Sequence, residues 1–130
     1  RNSLKDELLR KGLAKLNEEN ERMLMLSDGY LCGYIMKEGS DVDDESTWEK
    51  IDGLVIPDNV KTIGTEAFMG FLVKSLTFGS GVKYVEENVL LAADVPNTYK
   101  NMATIYVKNH DIVISKKAFD ANDQINIVMA

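Results

Sequence analysis

Residues 54–68, Leu54-Val55-Ile56-Pro57-Asp58-Asn59-Val60-Lys61-Thr62-Ile63-Gly64-Thr65-Glu66-Ala67-Phe68, constrain this chain most, because their apolar pattern returns downstream. Moving on 22 residues gives Leu76, Phe78, Val82, Val85, Val89 and Leu90 at the same offsets, and 29 further gives Ile105, Val107, Ile114, Ala118 and Phe119. A last step of 22 reaches Ile127 and Met129. One unit of this size cannot bury its own apolar side, so stacked units must share a continuous core.

Within the first unit Leu54 and Ile56 alternate as a short strand, and Pro57-Asp58-Asn59 turns the chain. Val60 and Ile63 point inward, Gly64 allows a tight bend, and Glu66-Ala67-Phe68 is expected to start a helical turn with Phe68 as a core plug. The long step places seven extra residues within about Ala92 to Asn101, where Asp94, Pro96 and Asn97 are turn formers. Insertions of this kind go to loops on one face of a repeat array, often the binding face.

The first 50 residues follow another pattern. Leu4, Leu8, Leu9, Leu13 and Leu16 recur at three- and four-residue spacing, which predicts a helix from about residue 3 to residue 20, interrupted only by Gly12. Residues 22–26 either extend that helix or begin a hairpin turning at Ser27-Asp28-Gly29; Asn20 and Met23 extend the helical stripe, which favours the helix. Tyr30 to Lys37 reads as a strand. Residues 1–50 are thus expected to cap the first of the coils at 51–130, within one compact domain.

Four acids, Asp41, Asp43, Asp44 and Glu45, crowd the loop after Gly39 and could offer calcium the oxygen ligands it prefers. The spacing departs from an EF-hand loop, with no glycine at the sharp turn and no glutamate closing the ring. The alternative is a solvated loop leading into a helical turn capped by Ser46 and Glu49.

At residues 54–68 the chain resembles the BspA-like leucine-rich repeat family, through Leu54, Ile56-Pro57, Val60, Ile63-Gly64 and Ala67-Phe68. The third unit keeps Ile105, Val107, Ile114 and Ala118-Phe119, with Asp111 in place of the family's valine and Ser115 in place of its glycine. The second unit keeps the apolar sites but has Gly79 for proline, Glu86 for glycine and Val89-Leu90 for Ala-Phe; Phe71 stands where the family often has cysteine. The resemblance covers residues 54–130 and implies a right-handed solenoid. With the helix and strand of the first 50 residues as its cap, the expected fold is α+β, a short right-handed leucine-rich-repeat solenoid of about three coils with an N-terminal helical and strand cap. The resemblance further implies a role in binding protein partners, often on bacterial or protist surfaces, and carries no catalytic residues.

Composition narrows the function classes. A net charge of −6 disfavours nucleic acid and anionic membrane surfaces. No apolar run approaches the ~18 residues of a membrane-spanning helix. Cys32, the one cysteine, excludes an intrachain disulfide and a cysteine-rich metal site, and its neighbours suggest a buried, inert thiol. His110, the one histidine, lacks an adjacent nucleophile or second ligand and reads as a turn residue. No catalytic, cofactor or metal site is therefore expected.

Trp48, Tyr84, Tyr99 and Tyr106 have no obligatory place in the repeat and are candidate partner contacts, since tyrosine and tryptophan are enriched at binding hot spots. Ile125, Ile127 and Met129 form an alternating strand without a following turn, and are candidate self-association residues, most simply through a two-fold homodimer. The expected function is a non-enzymatic interaction module for a protein or glycan partner. A structural, oligomerising segment of a larger surface protein is the alternative, and a small metal-dependent hydrolase built on the acidic loop and His110 the second. A leader upstream of Arg1 would place the protein at the cell surface; an initiating Met would place it in the cytoplasm.

Overall fold

The structure, a computed structural model, describes residues 2–90, 102–120 and 123–130. It is a mixed α/β arrangement with one helix and ten strands among the described residues, and the strands form two sheets around a shared core. The four-stranded sheet contains β4 (Glu49–Ile56), β6 (Phe71–Phe78), β8 (Met102–Val107) and β10 (Gln124–Met129), all parallel, in the order β10-β8-β6-β4. Leu54 pairs with Leu76, Leu76 with Ile105 and Ile105 with Ile127, so the spacings of 22, 29 and 22 are the register of this sheet.

The second sheet has six strands. The two-residue strands β5 (Thr62–Ile63), β7 (Tyr84–Val85) and β9 (Val113–Ile114) run parallel to one another and continue onto β3 (Tyr30–Tyr34). From there β2 (Met23–Leu26) and β1 (Lys15–Leu16) extend it in antiparallel fashion.

This arrangement corrects the expectation of a short leucine-rich-repeat solenoid of about three coils. The segment expected to start a helical turn forms turns at residues 65–70, and both walls of the core are sheet. The backbone supplies the reason: Glu66 and Asn88 sit at φ 59° and 54°, left-handed values that cannot propagate a right-handed helix. Instead Glu66 N–H donates to the Asn88 carbonyl and Asn88 N–H to the Lys117 carbonyl, joining successive turns. The insertion at 92–101 lies outside the described residues.

The N-terminal segment departs further. Helix α1 covers only Asn2–Arg10. Gly12, at φ 70°, ends it: Leu13 N–H donates to the Leu8 carbonyl and Gly12 N–H to Leu9, the paired bonds of a Schellman cap. Leu13 and Leu16, expected on a helical stripe, are 61% and 43% exposed. Residues 23–26 are strand, and the hairpin turns at Ser27–Gly29 through two left-handed residues, Asp28 and Gly29. Strand pairing overrode the helical spacing because Met23 and Leu24 are fully buried there.

The core runs from Met23, Leu31 and Tyr34 through Ile63, Phe68 and Phe71 to Ile105 and Ala118. Arg22 ties the hairpin to the four-stranded sheet. Its guanidinium donates to both Glu49 carboxylate oxygens at 2.9 and 2.7 Å and to the Ile35 carbonyl, and lies 4.6 Å from the centre of the Tyr34 ring. Glu49, expected to cap a helical turn with Ser46, therefore opens β4, and Asp44 caps the 3-10 turn at Glu45–Thr47.

Candidate functional site

Side chains alternate across a sheet, so the register of the short strands decides what the outer surface offers. Leu31, Ile63, Val85 and Ile114 form the inner row, the first three buried and Ile114 half-buried. The neighbouring row is Tyr30, Thr62, Tyr84 and Val113, one residue from each strand in direct register. Tyr84 is 54% and Val113 58% exposed.

A cleft of about 610 Å³ opens along this row. Tyr30, Tyr84 and Val113 supply its apolar surface, while Thr65, Glu86, Glu87 and Ser115 supply hydroxyls and carboxylates. Among the described residues that line it there is no Lys, Arg or His. The Tyr30 hydroxyl donates to Glu86 Oε1 at 2.5 Å. Burial, and then this bond to a carboxylate, push the Tyr30 phenol up to about 12. The phenol is thus a fixed donor at neutral pH.

Gly64 makes this geometry. A Cβ built there would stand 2.6 Å from Tyr30 Cε1 and 2.7 Å from Cζ, so only glycine leaves room for the ring. Twenty-two residues on, the equivalent position is Glu86, which receives the hydroxyl of the same ring. Tyr30 thus bridges two successive repeats.

The four residues singled out as partner contacts do not come together. Tyr84 is on this face. Tyr106, 41% exposed, lies on the outer face of the other sheet, in a row with Val55, Thr77 and Val128. Trp48 is not a surface contact: it is 8% exposed, with Nε1 donating to the Asp41 carbonyl at 3.0 Å. Its ring closes the acidic loop from within, which the sequence offered no pattern to show. Tyr99 lies outside the described residues.

The acidic loop satisfies itself. Asp41 Oδ1 accepts from Asp43 N–H, and Asp44 Oδ1 accepts from the Ser46 N–H and hydroxyl. Among the described residues, no three His, Cys, Asp or Glu side chains are placed to hold a metal ion. His110 is exposed, its Nε2 2.7 Å from the Ala130 carbonyl oxygen. Cys32 is half-buried rather than buried, its Sγ donating to the Leu24 carbonyl.

Glu86, Glu87, Thr65 and Ser115 were not among the partner contacts expected from sequence. Their signal was available: two and three positions after each outward Thr62, Tyr84 and Val113, where the first repeat has Gly64 and Thr65. Among the described residues no helix is long and apolar enough to cross a membrane. Comparison with protein-family models, with curated proteins and with solved structures finds no match for this chain.

Proposed function

We propose that the protein is a non-enzymatic interaction module whose six-stranded sheet binds a protein or glycan partner over the row Tyr30, Thr62, Tyr84 and Val113. The observation that carries this reading is the half-exposed Tyr84 and Val113, side by side in register, beside a cleft with two carboxylates. Large amphipathic rings on a rigid sheet contribute contact area at low entropic cost. The test is a parallel screen of a peptide-display library and a glycan array against the protein and its Tyr84→Ser/Val113→Ser variant. Ligands retained by the protein and lost by the variant support the reading. Identical ligand sets, or none, overturn it.

A second reading, an oligomerising structural segment, is supported by β10. This edge strand, Gln124–Met129, carries no charged residue, and Ile127 and Met129 are 40% and 47% exposed. Their register partners Ile105 and Val107 are 1% and 0% exposed. Ala130 N–H donates to the Val107 carbonyl, so the alternate residues Ile125, Ile127 and Met129 aim their backbone groups at the edge that no described strand covers. Antiparallel pairing of two copies about Ile127 would match Ile125 with Met129 of the other copy and fill that edge.

A further inference from the structure

We infer that the cleft beside Tyr84 takes a cationic side chain, arginine or lysine, presented by a protein partner. This rests on the binding reading above and names the chemistry that the same site selects. Glu86 and Glu87 both line the cleft, and no basic residue among the described ones does. Lys61 and Lys83 adjoin the row in sequence and Lys116 follows Ser115, yet none of the three lines the cleft to neutralise these carboxylates.

The Glu86 carboxylate is half-buried and held by the Tyr30 hydroxyl on Oε1. A carboxylate accepts at both oxygens, so Glu86 keeps acceptor capacity towards the cleft after that bond is made. A guanidinium meets such an acceptor in its own plane and forms charge-assisted bonds. Its aliphatic stem would lie along Tyr84 and Val113, with the charge near the electron-rich face of a tyrosine ring. Thr65 and Ser115 supply hydroxyl acceptors at the rim. The chain's net charge of −6 adds long-range attraction for a basic partner. Phosphorylated, sulfated or carboxylated ligands meet repulsion from the same glutamates. A neutral glycan meets no repulsion, and is the competing outcome.

The test is a titration of the intact isotope-labelled protein, followed by NMR, with three probes. These are an end-capped pentapeptide with one central arginine, the same peptide with citrulline, and cellobiose. The arginine peptide is expected to shift the amides of Tyr84, Glu86, Glu87 and Val113. Binding should be at least about fivefold weaker for citrulline, and for the arginine peptide with a Glu86→Gln/Glu87→Gln variant, since an ion pair and a ring contact are lost. Glu86→Gln keeps an acceptor for Tyr30, so the cleft persists in that variant. Equal affinity for arginine and citrulline, a response to cellobiose alone, or no shift with any probe overturns the inference. Screened ligands that depend on Tyr84 but carry no cation would overturn it while leaving the binding face intact; loss of all Tyr84-dependent ligands removes both.

Discussion

The ring of Tyr30 occupies the space that a Cβ on Gly64 would need, with 2.6 Å between that Cβ and Tyr30 Cε1. A residue of the hairpin is thereby locked to the first repeat, and its hydroxyl to Glu86 of the second. Gly64→Ala must push the ring aside and break that bond. We expect a loss of about 1–3 kcal/mol in a denaturant titration, the usual cost of an orphaned buried polar group or an overpacked contact. Tyr30→Phe in the Gly64→Ala background should then cost little more, and full additivity of the two changes would argue against the coupling.

Alkaline pH reads the same pair. Tyr30 has its phenol raised to about 12, by burial and by the bond to Glu86. Between the ordinary value near 10 and this one, the unfolded chain releases a proton that the folded chain keeps, so stability falls as pH rises through the window. Below pH ~10 the stabilisation from this group is fully present and does not vary with pH. Tyr30→Phe should flatten the decline between pH ~10 and ~12, and an unchanged slope in that variant would refute the assignment.

At the acid end the pair is Arg22 and Glu49. Hydrogen bonding from Arg22 holds the Glu49 carboxyl below its ordinary value, and the same bond raises Arg22. A depressed carboxylate stabilises the fold above its unfolded-state pKa, and the contribution is lost as pH falls through its folded-state value. Glu49→Gln should therefore show a shallower loss of stability on acidification, as measured by circular dichroism at fixed denaturant. Arg22→Ala should cost more than Glu49→Gln, because it also removes the contact with Tyr34 and the bonds to Ile35.

Phe68 is fully buried and packs against Tyr34, with ring centres 5.8 Å apart. Phe68→Ala is expected to cost about 3–5 kcal/mol. A loss below about 1 kcal/mol would mean the cavity collapses freely and that Phe68 is no anchor of the shared core.

Self-association through β10 is tested by comparing two lysines in one register. Ile105→Lys buries a charge and should unfold the chain, whereas Ile127→Lys, at a position 40% exposed, should fold normally. Light scattering should show the second variant shifted to monomer. A stable monomer for the unmutated protein at tens of micromolar would refute pairing at this edge.

Sequence alone determined the register of the four-stranded sheet, because Leu54, Leu76, Ile105 and Ile127 recur with the spacing at which parallel strands align. It also determined which residues of each repeat face inward, as at Ile56, Phe78 and Val107, since alternation is a local property of a strand. Tertiary structure decided the rest. Helical spacing in residues 8–20 gave way to a cap at Gly12, and Met23 to Leu26 became strand because a hairpin partner was at hand to bury them. The second wall of the core came out as sheet rather than helical turns, since residues 66 and 88 take left-handed backbone and bond to the following turn. Trp48 is inside, its indole N–H satisfied by the Asp41 carbonyl, a partner that only the folded loop supplies. The cleft depends on Tyr30 reaching across to residues 34 and 56 positions later, a relationship that no local pattern encodes.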